Sequence, residues 1–147
     1  MSGATTKAST SGQVGTYTFN RGVTTITYTS TDAVGNSSTA SMTVTVSDQQ
    51  GPAIVPASNI SVNTSTCSSS LTVPNATITD NCGTVSTISS VLTGATTGSF
   101  VGQVPQPRTF NKGVTTITYT ATDNFGNTST ATMTVTVIDN LPPTLTI

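Results

Sequence analysis

The chain has 147 residues, a formal net charge of −1 and only 6% charged residues, where a soluble domain usually carries roughly a quarter. Its acids are five Asp, and it has no His, Glu or Trp. That excludes a Ser-His-Asp or Cys-His pair and the usual zinc sites, so an enzyme is not expected. Four Lys and Arg cannot build the basic patch that phosphate neutralisation needs, which excludes nucleic acid, and no apolar run approaches a membrane span.

Thr supplies 36 of the residues. β-branched side chains favour strands, and the composition reads as all-β and of extracellular type. Residues 1–16, rich in Ser, Thr and Gly, have no periodicity and are expected to be loop. From Ile26 the pattern has period two, with Ile26, Tyr28 and Ser30 on one face and Thr25, Thr27 and Thr29 on the other. It resumes after Asp32–Asn36 with Ala40, Met42, Val44 and Val46. Alternation on both sides of a Gly-Asn loop predicts a β-hairpin with one face on a core.

Pro52 and Pro56 suit a linker that leads into an edge strand. Short strands are predicted at Asn59–Asn63, Ser70–Val73, Ala76–Thr79 and Thr84–Leu92. The Gly- and Pro-rich Thr93–Pro107 reads as a long irregular connection, and Asn111-Lys112-Gly113 as a turn. The hairpin then recurs. Residues 110–139 match residues 19–48 at 23 of 30 positions with an offset of 91, so the unit is a repeat of about 90 residues.

The phase predicts the second half of one repeat over 1–47, a complete repeat over 48–138 and the start of a third over 139–147. The chain therefore reads as a fragment of a longer array. Seven or so short strands per repeat predict an immunoglobulin-like β-sandwich in tandem repeats, with the faces of Ile117, Tyr119, Met133, Val135 and Val137 as core.

No Asp stands mid-strand in this reading. In an immunoglobulin-type sandwich, Asp48, Asp80-Asn81 and Asp123 fall in three segments that share one pole. Their hard oxygens suit Ca²⁺, although turn chemistry alone explains each Asp and is the first reading. No cofactor is required. Val34 and Phe125 at the hairpin tips are expected to contact a neighbouring repeat or a ligand.

Cys67 and Cys82 would lie about 45 Å apart if the chain between them were one extended strand. A reversal at Pro74-Asn75 would instead set them opposite each other, since Pro then Asn suits the middle of a tight turn. A disulfide is the first reading and a pair of buried free thiols the second.

Three pieces of sequence carry a family resemblance: Thr79-Asp80-Asn81-Cys82-Gly83, the run from Phe110 through Asn127, and Val135, Val137, Asp139, Pro142 and Pro143. Together they resemble the hyalin repeat (HYR) domain, over one whole repeat and half of another. The resemblance implies an immunoglobulin-like sandwich used in extracellular adhesion. Thr-rich tandem copies of this kind resemble the large surface adhesins of gliding bacteria of the Bacteroidetes type. Two features depart from the family. Ala131, Thr132 and Met133 stand where many members have a further Cys, and Asn111-Lys112-Gly113 replaces Pro-Val-Gly.

The function expected is therefore a structural or adhesive module of a cell-surface adhesin, with neighbouring repeats of its own chain as partners. A glycan- or ice-binding Thr surface and a self-assembling filament subunit are the alternatives. No membrane insertion is expected.

Overall fold

The computed structural model describes residues 1–143 and 145. They form two compact units, Met1–Gln49 and Gln50–Ile147, and contain no helix, hence none long and apolar enough to cross a membrane. The expected start of a third repeat over 139–147 falls partly outside the described residues.

In the second unit, period-two alternation becomes paired strands. β11 (Gly113–Asp123) and β12 (Thr128–Asp139) form the hairpin, with Ile117 opposite Met133 and Tyr119 opposite Ala131. They sit in a five-stranded sheet with β5 (Ile60–Thr64), β8 (Val85–Gly94) and β9 (Gly98–Val101), in the order β5-β12-β11-β8-β9. β5 lies parallel to β12 and the other neighbours are antiparallel.

Two short ladders pair β4 (Ala53–Val55) with β7 (Thr77–Thr79) and β6 (Ser68–Leu71) with β10 (Arg108–Asn111). Side chains from both ladders and the five-stranded sheet share one core. Phe110, Ile117, Tyr119, Val135, Leu92 and Val73 are its most buried members, with Ile54, Leu71 and Ile78 packed against them. The architecture is all-β and compatible with an immunoglobulin-like sandwich.

Along β11 every second residue from Thr115 to Asp123 is buried. The intervening Thr116, Thr118, Thr120 and Thr122 stand opposite Thr134, Thr132, Thr130 and Thr128 on the outer face.

The first unit pairs β1 (Ser2–Gly3), β2 (Gly22–Thr31) and β3 (Ser37–Val46) in that order. Its registers, Gly3 opposite Thr24 and Ile26 opposite Met42, are those of Gly94 with Thr115 and Ile117 with Met133. The hydrogen bonds recur as well. Thr5 donates its N–H to Thr24 Oγ1 at 3.1 Å, as Thr96 does to Thr115 Oγ1 at 3.1 Å. Asn20 N–H donates to Thr5 Oγ1 at 2.7 Å, as Asn111 N–H does to Thr96 Oγ1 at 2.8 Å. Gly94 has φ +97°, and a Cβ there would collide with the Val114 carbonyl oxygen; Gly3, with φ +98°, is placed likewise against Val23. Only Gly adopts such a conformation freely.

Two expectations are corrected. Thr93–Pro107 is not wholly irregular, because β9 pairs Phe100 with Ser90 and turns the Phe100 ring onto the core.

The second correction concerns the cysteines, which are both free and exposed. No reversal occurs at Pro74-Asn75. Ser68 to Leu71 runs antiparallel to Arg108–Asn111, and beyond it Val73 N–H donates to Gln106 Oε1 at 2.8 Å and Ala76 N–H to Gln103 Oε1 at 3.2 Å. These partners continue the register of the β6–β10 ladder, so the chain keeps its direction from β6 into β7. Pro74, Pro105 and Pro107 lack the amide hydrogens a ladder needs, and two glutamine side chains take over. Cys67 and Cys82 therefore flank the two ends of an extended run. At about 3.3 Å per residue its ends lie on the order of 40 Å apart, far beyond disulfide reach.

Candidate functional site

The acidic pole of the second unit is built from loops that the strands present. β11 meets β8 through a register shift at Thr122/Asp123; such bulges commonly re-aim a side chain. Asp123 closes the hairpin loop from inside. Its Oδ1 accepts from Phe125 N–H at 2.7 Å and Asn127 N–H at 2.9 Å, and its Oδ2 from Asn127 Nδ2 at 2.7 Å. Asp123 is 2% exposed. Burial pushes its carboxyl up, but the bonds from Asn127, Phe125 and Gly126 outweigh this and hold it below the ordinary value of 3.8.

The neighbouring loop follows β7. Asp80 Oδ1 accepts from Cys82 N–H at 3.0 Å, while its Oδ2 is buried without a hydrogen-bond partner. Asn124 ties the two loops together, accepting from Thr84 N–H at 3.2 Å and donating its own N–H to Thr84 C=O at 3.1 Å. Gly83 permits this close seating, because a Cβ would meet Asn124 Oδ1 and would come 2.8 Å from Phe125 Cε2, so that one or both side chains would have to move. Asn81 donates its amide N–H to Gln50 Oε1 at 3.2 Å, which anchors the segment entering the unit. Asp48 lies two residues ahead of Gln50 in that segment. Within the second unit Asp80 and Asp123 bring carboxylate oxygens within 4.8 Å of each other, while Asp48 belongs to the first unit.

The chemistry of this donor set is narrow. It offers hard oxygens and no nitrogen or sulfur. Oxygens around one Ca²⁺ sit about 2.3–2.6 Å from it, so oxygens on opposite sides of the ion are separated by about 5 Å, and the carboxylates of Asp80 and Asp123 at the observed spacing can share it. Asp80 Oδ2 is an acceptor already stripped of water, and an acceptor left in that state is costly.

No protein-family model matches the chain, and no curated protein matches it. The resemblance to HYR domains therefore rests on the residues that carry it.

The tip residues behave differently from each other. Val34 is 83% exposed, at the end of a hairpin whose Asp32 makes the same loop bonds as Asp123. Phe125 is half-buried and lies over Gly83 within its own unit. Sequence reasoning named Phe125 as a contact residue but gave no hint of this packing, since the partner has no side chain.

Asp123 makes acid stability a readout of the pole. Its carboxyl is lower in the folded protein than in the unfolded chain, so its contribution is present above about pH 4 and is lost as pH falls through the folded value. The melting temperature of the second unit should fall as pH is lowered from 5 to 3, and Asp123→Asn should flatten that fall. Asp139, also held low by Leu141 N–H and Lys112, leaves a residual slope. An unchanged slope in the variant would assign the acid sensitivity elsewhere.

Proposed function

We propose that this protein is a structural and adhesive repeat module of an extracellular cell-surface adhesin, serving as stalk and as contact surface. The observation that supports this most is the recurrence, 91 residues apart, of the same registers, the same hydrogen-bonded Thr relays and the same Asp-closed loop. A unit reproduced at that level of detail suits serial stacking, in which each copy repeats one fold rather than one active centre. The resemblance to HYR domains supplies the adhesive half of the reading.

We assign Ca²⁺ as the ion that Asp80 and Asp123 would hold, each through carboxylate oxygen. The buried Asp80 Oδ2 supports this assignment. A bound ion would neutralise like charges and pin the loop after β7 to the loop after β11. It would stiffen the chain there and contribute no reaction.

Beads coated with the full chain should be retained under flow on glass or on glycan-coated surfaces, more strongly in 2 mM Ca²⁺ (roughly the range of extracellular modules) than in chelator. Retention no better than beads coated with an inert protein would remove the adhesive reading. In the same buffers the melting temperature should rise with Ca²⁺ and not with Mg²⁺, which demands a tighter octahedral shell. No rise would remove the ion and leave the repeat.

A further inference from the structure

The chain's four basic side chains are Lys7, Arg21, Arg108 and Lys112. Arg21 and Lys112 occupy equivalent positions just ahead of the two hairpins, and Lys112 meets Asp139 at 3.3 Å. Lys7 and Arg108 are used otherwise. Arg108 carries its guanidinium 5.0 Å from the centre of the Phe100 ring, and Lys7 carries its Nζ 5.1 Å from the centre of the Tyr17 ring. Under the offset of 91, Tyr17 stands where Arg108 does and Lys7 where Gly98 does. Each copy therefore sets a cation on a ring, and neither cation pairs with a carboxylate among the described residues.

At Arg108 the second unit adds an open slot, lined also by Thr96, Thr97, Pro107, Thr109 and Asn111. Arg108 is half-buried, and its Nη2 donates to Thr97 C=O at 3.3 Å, its one acceptor among the described residues. Its Nε is buried without a partner. Most N–H donors of the guanidinium thus have no protein acceptor, and a buried donor left in that state is costly. Thr96 and Asn111 are already engaged, since Asn111 donates its N–H to Thr96 Oγ1 and its Nδ2 to Ala95 C=O. Thr97 and Thr109 are exposed, with hydroxyls that can each donate and accept.

The cation is held from beneath. Phe100 packs against the core, and Gly98 lets the ring and the guanidinium close over its backbone. A Cβ there would come 2.8 Å from Phe100 Cζ and 3.2 Å from Arg108 Nη2. A side chain fixed in this way loses little freedom when it meets an anion.

We propose that Arg108, Thr97 and Thr109 form a binding site for the carboxylate of an acidic sugar, a uronic acid unit of a polysaccharide. The guanidinium fork matches the two carboxylate oxygens, and the Thr hydroxyls meet the ring hydroxyls beside them. Nucleic acid does not fit, because so few cations neutralise too few phosphates. An acidic peptide fits less well than a sugar, because Pro107 is the one apolar wall of the slot. A single contact of this kind is weak, on the order of millimolar. Repeats in series along one polysaccharide gain by avidity. The inference deepens the adhesive reading and rests on it for the use of weak sites in series, while the site itself rests on the second unit alone.

The test titrates the full chain, labelled with ¹⁵N, with a galacturonic acid trisaccharide, and uses its uncharged methyl ester as control. Saturable shifts at the Arg108 Nε–H and at the amides of Thr97 and Thr109 are the expected result, with none for the ester. Raising salt from about 0.01 M to about 0.15 M, which cuts the Debye length from about 30 Å to about 8 Å, should weaken binding severalfold. Arg108→Gln should abolish the shifts, and Arg108→Lys, which keeps the charge without the fork, should weaken binding at least about threefold. Thr97→Val combined with Thr109→Val should weaken it by about threefold and leave the melting temperature near that of the parent, since both positions are exposed.

Four outcomes overturn the proposal. The first is no saturable shift at tens of millimolar trisaccharide, and the second is equal binding by Arg108→Gln. The third is equal affinity for acetate, which would mean that the sugar contributes nothing. The fourth is equal affinity for a tripeptide of Asp, which would give the slot to a peptide. If Arg108→Gln unfolds the second unit, the double Thr variant decides, and its unchanged binding removes the site. Bead retention separates this from failure of the adhesive reading. Retention kept without trisaccharide binding removes the site and leaves adhesion, whereas saturable binding with no retention above inert beads removes adhesion and leaves the site.

Discussion

Phe110→Ala should cost the second unit about 3–5 kcal/mol, the usual range for deleting a buried Phe, while Phe19→Ala at the same repeat position should cost about 1 kcal/mol or less. Phe110 is 0% exposed and belongs to the closed core with Ile117, Tyr119 and Val135. Removing its ring leaves a cavity lined by side chains that β-strands hold in place, so little collapse can offset the loss. Phe19 is half-buried, and its ring meets Tyr17 edge-on with centroids 5.8 Å apart. Part of its surface already meets water, so the space its ring would vacate is less enclosed than at Phe110. The comparison is internal, since both residues precede a hairpin with the same registers, and only the coverage differs. Amide exchange read separately at β2 and β11 under mild urea distinguishes the two units. A loss against a total of about 5–15 kcal/mol should bring β11 close to global opening and leave β2 nearly unchanged. Equal effects on both strands would mean that the first unit's face is as covered as the second's.

That contrast also shows how far sequence carries. The hairpin at β11 and β12 was legible because its signal is local: alternate Thr and aliphatic residues, a Gly-Asn loop and a second copy to read against. Its core face followed from the period alone, and Ile117, Tyr119, Met133, Val135 and Val137 are the residues found buried there. The same pattern cannot report burial in the first unit. Met42 and Met133 stand in nearly identical sequence, and their difference lies in which strands oppose them, a non-local fact.

The acidic pole was legible in part. Topology predicted Asp80 and Asp123 at one end, and within the second unit their carboxylate oxygens lie within 4.8 Å of each other. The seating of Phe125 over Gly83 was not legible, because it depends on the absence of a side chain at a position that reads as an ordinary loop glycine. The cysteine pairing failed for a related reason. Pro74-Asn75 has local turn chemistry, but the residues opposite it in the sheet, Gln103 and Gln106, keep the strand extended. β9 was hidden by its length, four residues between Gly98 and Gly102.

Gln103→Leu should destabilise the second unit by about 2–4 kcal/mol, because it leaves both backbone groups of Ala76 without partners. Ala76 is buried; its N–H donates to Gln103 Oε1 at 3.2 Å and its C=O accepts from Gln103 Nε2 at 3.0 Å. The amide of Gln103 thus does what a strand backbone would do, at a point where prolines interrupt the ladder. Leu has nearly the same bulk, so packing is largely preserved and the loss reports the two hydrogen bonds, at roughly 1–3 kcal/mol for each buried group stranded. Gln103→Glu makes a finer distinction. At pH 7 the new carboxylate still accepts from Ala76 N–H but has no hydrogen to give, and it faces the Ala76 carbonyl oxygen. Its protonated form restores the donor, so its pKa should be higher folded than unfolded, and the variant's deficit relative to the parent should shrink as pH falls through that folded value. Urea unfolding of parent and both variants at pH 7 and pH 4.5 measures this. Gln103→Leu should lose the same amount at both values, while Gln103→Glu should recover at the lower one. A Leu variant within about 0.5 kcal/mol of the parent, the level of an ordinary surface change, would mean that water serves Ala76 as well as the glutamine does. The extended run from β6 to β7 would then owe its straightness to the core side chains of Val73 and Ala76 instead.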